Sequence, residues 1–102
     1  MNLFDIPEGK MEEEEVKQLL QGRGIRVERI VSKGHVSQQW YDQDEDEWVL
    51  LIQGNADIQF EDRMVSLGKG DSILIPRHQK HLVTRTSTEP CCIWLCLFGM
   101  FS

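Results

Sequence analysis

The chain has 102 residues, which is enough for one domain with a single core. Its 17 acidic and 11 basic residues give a formal net charge of −6, so it lacks the excess of cations that nonspecific nucleic-acid binding requires. It contains no run of about 18 apolar residues that could span a membrane, and its N-terminus lacks the basic and apolar segments of a secretion signal, which together predict a cytoplasmic protein.

The first 24 residues are predicted to form an arm followed by a short helix. Residues 1–10 resemble an extended arm, whereas residues 11–22 begin with consecutive glutamates, whose charge suits the first turn of a helix. Apolar residues then follow the i, i+3, i+4 spacing of an amphipathic helix at Val16, Leu19 and Leu20. The glycines that come next are typical of a helix end.

The remaining residues, 25–102, have the pattern of short β-strands. Apolar segments alternate with Gly, Asp, Asn and Pro turn residues at intervals of about 8–12 residues, which is typical of an antiparallel all-β barrel or sandwich. The predicted strands are residues 25–31, 36–41, 47–54, 56–60, 64–67, 72–76, 81–86 and 91–98. No linker or repeat interrupts them, so residues 1–102 are predicted to form a single domain.

Two of the predicted strands, residues 47–53 and 91–98, are apolar on both faces. An antiparallel strand with one face in water should instead alternate apolar and polar residues. The outer faces of these strands are therefore predicted to be covered. The N-terminal arm and helix could cover one strand, and a second subunit is the other candidate, which predicts a homodimer.

The cysteines Cys91, Cys92 and Cys96 lie close together in the sequence. On one strand the first two point to opposite faces. Cys92 and Cys96 share a face but lie ~13 Å apart, beyond the roughly 7 Å that separates the Cα atoms of a disulfide. The thiols are therefore predicted to be free and to pack as small apolar groups, as expected in a reducing compartment.

Turn residues and polar residues recur at distinctive spacings in two stretches of the chain. The first stretch contains Gly34, Trp40, Asp42, Glu47 and Gly54, and the second contains Gly70, Pro76, His78, His81 and Arg85. These stretches resemble the two motifs of the cupin superfamily, and in particular those of small single-domain bacterial cupins without an established activity. The resemblance covers residues 34–85. It implies an antiparallel cupin barrel (a double-stranded β-helix, or jelly roll) preceded by the short N-terminal helix.

The resemblance also implies a metal site, in a weak or atypical form. In metal-binding cupins the ligand positions correspond here to Trp40, Asp42, Glu47 and His81. The indole of Trp40 has no acceptor and cannot bind a metal, so the other three remain as candidate ligands for Fe, Mn, Zn or Ni. Two further departures are His78 at the glycine position of the second motif and Arg85 at its closing asparagine position.

Strand alternation directs Trp40 and Asp42 to the same side of their predicted strand. If that side faces the barrel interior, Glu47 joins them from the following strand, and two more side chains join from the strand at residues 81–86. Arg85 could offset the carboxylates or meet an anionic ligand, and Trp40 could form a wall of the pocket or partly fill it. The predicted ligand pocket is Trp40, Asp42, Glu47, His81 and Arg85.

Two functional classes remain open for this pocket. One is a cupin that binds a small molecule without catalysis. The alternative is a metal-dependent enzyme, such as an oxygenase or a sugar-type isomerase, because redox or Lewis-acid chemistry on these residues needs a metal. A third possibility is a structural β module whose interior is filled. The fold cannot supply the identity of the ligand, because cupin barrels host many activities.

Overall fold

The protein was analysed as a computed structural model, which describes residues 1–101. Within that range the chain forms eight β-strands and no helix. The strands are β1 (Glu15–Gly22), β2 (Ile25–Ser32), β3 (Asp46–Gln53), β4 (Ala56–Phe60), β5 (Met64–Leu67), β6 (Ser72–Ile75), β7 (His81–Thr86) and β8 (Cys92–Gly99). They make a five-stranded sheet in the order β1-β2-β8-β3-β6 and a three-stranded sheet in the order β5-β4-β7. All pairs are antiparallel.

The predicted N-terminal helix is wrong, because its residues form β1. This strand pairs with β2 along its length, and a register shift between Gln18 and Leu20 interrupts the alternation of side chains. Because of that irregularity, the apolar residues of this strand have a spacing similar to that of an amphipathic helix. An isolated helix of this length is marginal in water, whereas β1 gains ladder hydrogen bonds along one side by pairing with β2 at the edge of the large sheet.

The predicted strand at residues 36–41 is also wrong. Residues 33–45 form a loop, here called the 33–45 loop, that runs beside β7 along the edge of the small sheet. The loop makes one isolated antiparallel bridge, in which Tyr41 N donates to His81 O over 2.8 Å and His81 N donates to Tyr41 O over 3.2 Å. The other seven predicted strands correspond to β2–β8.

The core lies between the two sheets and comes mainly from alternate residues of β3, β4 and β8. Its buried side chains are Val49, Leu51, Ala56, Ile58, Phe60, Leu67, Ile75, Cys92, Trp94, Cys96 and Phe98. All three cysteines are free and buried, which confirms the prediction made for them. No helix within the described residues is long and apolar enough to cross a membrane.

The N-terminal arm packs over the outer face of β2 at Arg29, whose side chain is 2% exposed. The guanidinium donates to the backbone oxygens of Leu3 (3.4 Å) and Asp5 (2.8 Å) and forms an ion pair with Glu15. The arm therefore covers β2 at Arg29.

The buried carboxylate of Asp46 joins three parts of the chain. It is 1% exposed and lies at the start of β3. Its Oδ1 accepts a hydrogen bond of 2.8 Å from Arg77 N, in the turn between β6 and β7, and its Oδ2 accepts one of 2.9 Å from Phe101 N. The side chain thus holds that turn and the C-terminal segment against β3.

We expect Asp46→Ala to lower the free energy of unfolding by about 3 kcal/mol, because it leaves two backbone N–H groups without their acceptor. Urea denaturation monitored by circular dichroism measures the loss. The matched control is Asp44→Ala, whose side chain is 94% exposed and whose removal should change stability by less than about 0.5 kcal/mol. Equal unfolding midpoints for the two variants would contradict the role given to Asp46.

Candidate functional site

A cavity of about 290 Å³ lies at one end of the barrel, between the large sheet, β7 and the 33–45 loop. Val49, Ile75, Trp94 and Phe98 form its apolar wall. Its polar residues include Glu47, His81, Gln43 and Tyr41. An apolar wall with a few convergent polar groups is typical of a ligand pocket, and this volume is near the lower limit for such pockets.

Glu47 is the buried carboxyl group of the cavity. It lies on the inner face of β3 and is 6% exposed. Burial raises its pKa, and the hydrogen bonds of Cys96 and Gln43 and the charge of His81 offset only part of that effect. Burial also raises the pKa of the Cys96 thiol well above its usual value, and the neighbouring Glu47 adds to the increase. The cysteine is therefore a neutral thiol that donates to the carboxyl group.

His81 faces Glu47 from the start of β7, and it is 5% exposed. Its Nδ1 lies 3.0 Å from Gln79 O, a carbonyl that can only accept, so Nδ1 carries the hydrogen and Nε2 is left as an acceptor in the neutral ring. Nε2 lies 3.8 Å from Glu47 Oε1, which is too far for a hydrogen bond. The rings of Tyr41 and Phe60 flank the imidazole, with centroids at 5.8 and 6.2 Å.

Gln43 supplies a second acceptor that has no partner. Its side-chain oxygen is buried and accepts no hydrogen bond from the described residues. Buried polar atoms without partners are rare, and each one calls for a physical explanation. Because Gln43 lines the cavity, a ligand with a hydrogen-bond donor would explain this one.

The structure separates Trp40 and Asp42 from Glu47 and His81. Trp40 is 47% exposed and lines a second depression, together with Asp42, Glu61 and Lys80. His78 donates from Nδ1 to Asp42 Oδ1 over 2.8 Å and holds this carboxylate outside the cavity. Tyr41 and Gln43, the residues of opposite parity in the same segment, line the cavity instead.

Arg85 also lies away from the cavity. Its Nε donates to Asp57 Oδ2 over 2.9 Å and its Nη1 to Asn55 Oδ1 over 2.6 Å, on the surface of the small sheet. Hydrogen bonds from Arg85 and then from Ser66 lower the pKa of Asp57. The register between β4 and β7 shifts beside Thr84, because Ile58 pairs with Val83 while Asp57 pairs with Arg85. Regular alternation from His81 would direct Arg85 inward, as the sequence predicted. The shift interrupts this alternation, so Arg85 faces outward.

Of the predicted pocket residues, the structure thus brings only Glu47 and His81 together. Sequence reasoning missed Gln43, Tyr41 and Cys96. The sequence offers one indication of Tyr41 and Gln43, because they alternate with Trp40 and Asp42 and must face the cavity if those two residues do not. Nothing in the sequence distinguished Cys96 from the other buried thiols.

The residues present do not fit the metal that the family resemblance implied. Among residues 1–101, no three His, Cys, Asp or Glu side chains are placed so that they could hold a metal ion. Glu47 and His81 face the cavity, but Asp42 is bound to His78 and the fourth ligand position is Trp40. Protein sites for these metals are normally built from three or four such ligands.

Comparisons with known proteins agree with this architecture. The family model for the cupin domain matches residues 27–98. A solved structure from Ralstonia eutropha JMP134, named as a "putative mannose-6-phosphate isomerase", is 34% identical and superposes with a TM-score of 0.91, over 98% of this chain and 96% of that one. Curated proteins gave no match.

More distant solved structures share the fold. A cupin superfamily protein of Desulfitobacterium hafniense DCB-2 is 19% identical, with a TM-score of 0.78 over 92% of this chain and 84% of that one. KdgF from Halomonas sp. is 15% identical, with a TM-score of 0.76 over 93% and 87% of the two chains. At these identities the likeness supports the fold alone.

The raised pKa of Glu47 predicts a pH-dependent effect on stability. The folded state keeps this carboxyl group protonated above its usual value of 4.5, so it binds more protons than the unfolded state and stability falls as pH rises through that interval. Groups that face it are His81, Cys96 and Glu28. Glu47→Gln removes this loss, so the stability of the variant relative to the natural protein should rise as the pH increases from 4.5 toward neutral.

Urea denaturation across that pH range measures this difference. Glu13→Gln, at an exposed position of the N-terminal segment, is the matched control and should show no such trend. A Glu47→Gln difference that stays constant with pH would contradict the protonated state assigned to Glu47.

Proposed function

The chain belongs to the cupin domain family, and we propose that it binds a small molecule in the cavity beside Glu47 and His81. One observation carries the proposal, which is that the hydrogen bonds among the cavity's polar groups leave two acceptors without a donor from the described residues. Gln43 Oε1 has no partner among the described residues, and His81 Nε2 is 3.8 Å from Glu47 Oε1. A ligand that donates hydrogen bonds to these groups would satisfy them.

The geometry supports a definite division of roles. A ligand hydroxyl between His81 Nε2 and Glu47 would bond to both groups, and a second donor would meet Gln43 Oε1. The apolar remainder of the ligand would lie against Trp94 and Phe98. Since Glu47 and His81 lie in strands of opposite sheets, one bound molecule would span the barrel.

Proton transfer on the bound molecule is a second candidate function, because Glu47 and His81 are two buried titratable groups that face each other. A sugar-type isomerisation moves a proton between adjacent carbons, so one group would take the proton from the first carbon and return it to the second. The other group would protonate the carbonyl oxygen and then take the proton of the neighbouring hydroxyl group, so that the reaction passes through an enediol. The Ralstonia eutropha protein carries the name of an isomerase. Among residues 1–101 no third His, Cys, Asp or Glu joins this pair to hold a metal ion, so the two side chains would transfer the protons themselves.

Thermal shift against a panel of sugars, sugar phosphates, carboxylic acids and amines tests binding. We expect at least one compound to raise the Tm by several degrees, since saturation at 100 times Kd stabilises a protein by about 2.7 kcal/mol. His81→Ala and Gln43→Leu should abolish this shift, measured against each variant's own Tm.

Trp40→Ala and Arg85→Ala are the matched controls and should retain the shift. A shift lost in Trp40→Ala but kept in His81→Ala would instead place the ligand in the second depression. A panel without any stabilising compound would overturn the binding proposal. Exchange of carbon-bound hydrogen with D₂O in the stabilising compound separates catalysis from binding alone.

We also propose that a second copy of the chain covers the outer face of the large sheet. One apolar residue from each of its five strands lies in a single row across this face, in the order Leu20, Val27, Leu97, Trp48 and Leu74. Trp48 is 41% exposed and Leu74 is 47% exposed. The row contains no charge, so two copies related by a twofold axis could pack without burying one.

Trp48→Glu is expected to convert this dimer to a monomer, because it would place a charge at the centre of the interface. Sedimentation velocity at micromolar concentration measures the change in mass. Met64→Glu is the matched control, since Met64 is 56% exposed but lies on the small sheet. A natural protein that sediments as a monomer would overturn the proposal.

A further inference from the structure

The charges that line the cavity are predominantly negative. Glu14 and Glu28 contribute carboxylates to it beside the protonated carboxyl group of Glu47, whereas Arg26 is its only Arg or Lys among the described residues. Ser32 donates to Glu14 over 2.8 Å from the same wall. A phosphate group entering this cavity would therefore need Arg26, since guanidinium is the side chain best suited to bind it.

Arg26 is already occupied by two carboxylates. Its Nε lies 3.2 Å from Glu28 Oε2 and its Nη1 lies 2.9 Å from Glu45 Oε1. Its guanidinium carbon also lies 4.2 Å from the centroid of the Phe98 ring. Burial opposes the charge, but the hydrogen bonds and charges of Glu45 and Glu28 outweigh it and raise the pKa of Arg26.

These contacts place Arg26 at the mouth of the cavity, where its side chain is 31% exposed. A phosphate that approached the guanidinium would come close to the two carboxylates that hold it, and like charges at such distances repel. Displacing either carboxylate would exchange one charge-assisted hydrogen bond for another, with little net gain.

The inner end of the cavity also favours donors over anions. Gln43 Oε1 is an unfilled acceptor, and His81 Nε2 is an acceptor in the neutral ring because Nδ1 donates to Gln79 O. A hydroxyl group can donate to both kinds of site, whereas a phosphate dianion has no hydrogen to donate.

We infer that the cavity accepts an uncharged molecule with at least two hydroxyl groups and rejects its phosphate ester, because Glu28 and Glu45 occupy Arg26. This inference rests on the proposed binding of a small molecule. The name of the Ralstonia eutropha protein refers to a sugar phosphate. The inference is drawn from the residues of the present chain and is not extended to that protein.

Isothermal titration with mannose, mannose 6-phosphate and inorganic phosphate tests the inference. We expect the natural protein to bind mannose more tightly than mannose 6-phosphate, and to show no heat with inorganic phosphate. The double variant Glu28→Gln/Glu45→Gln should gain at least about tenfold affinity for both phosphate compounds, because the guanidinium becomes free to bind them. Adding Arg26→Gln to the double variant should remove the gain.

The double variant Glu8→Gln/Glu61→Gln controls for net charge, since both residues are exposed and neither lines the cavity. It should behave as the natural protein does. The single variant Glu45→Gln, at a residue whose side chain is 36% exposed, should give a smaller gain in the same direction and is available if the double variant does not fold.

Two results would overturn the inference. One is a natural protein that binds mannose 6-phosphate as tightly as mannose, or more tightly. The other is a folded double variant, or single variant, without any gain for inorganic phosphate. The phosphate measurements do not depend on identifying the natural ligand. A panel that finds no ligand therefore overturns the proposed function, while the response of the glutamate variants separately decides the role of Arg26.

Discussion

The backbone bridge between Tyr41 and His81 is the constraint on which the cavity depends. Its two hydrogen bonds attach the 33–45 loop to β7. Because neighbouring residues in an extended segment point to opposite sides, attaching the loop at Tyr41 also decides which side chains of residues 40–43 reach the interior. Tyr41 and Gln43 enter the cavity, whereas Trp40 and Asp42 face the surface depression. The same bridge places the imidazole of His81 opposite Glu47.

Much of the barrel could be predicted from the sequence, because its turns need particular residues. Gly54 has φ of +88°, and a Cβ there would lie 2.8 Å from Cys91 O and from Ser87 Oγ. Such positions require glycine, so the spacing of glycines in the motif predicts where the turns between strands lie. Glu47 could also be placed correctly, because it lies within a regular strand whose alternation is uninterrupted around it.

The errors occur where regular alternation is interrupted. The register shift between Gln18 and Leu20 made a strand resemble a helix, and the shift beside Thr84 turned Arg85 outward. Bulges of this kind depend on the partner strand, and one sequence does not show them. The apolar pattern of residues 36–41 likewise could not reveal that they meet β7 at two points, Ser37 and Tyr41, instead of forming a regular strand. The unpartnered oxygen of Gln43 was beyond prediction, since it depends on every neighbouring group.

Two departures from the cupin motifs are physically linked in this chain. His78 occupies a glycine position of the second motif, and its φ is +64°, a conformation that few residues other than glycine adopt. His78 N donates to Gln43 O over 2.8 Å, and its ring donates to Asp42. His78, at a glycine position of the motif, therefore holds Asp42, which lies at a position where metal-binding cupins have a ligand. A histidine at residue 42 alone would not create a metal site, because the backbone bonds of Tyr41 and Gln43 would still direct residues 40 and 42 away from the cavity.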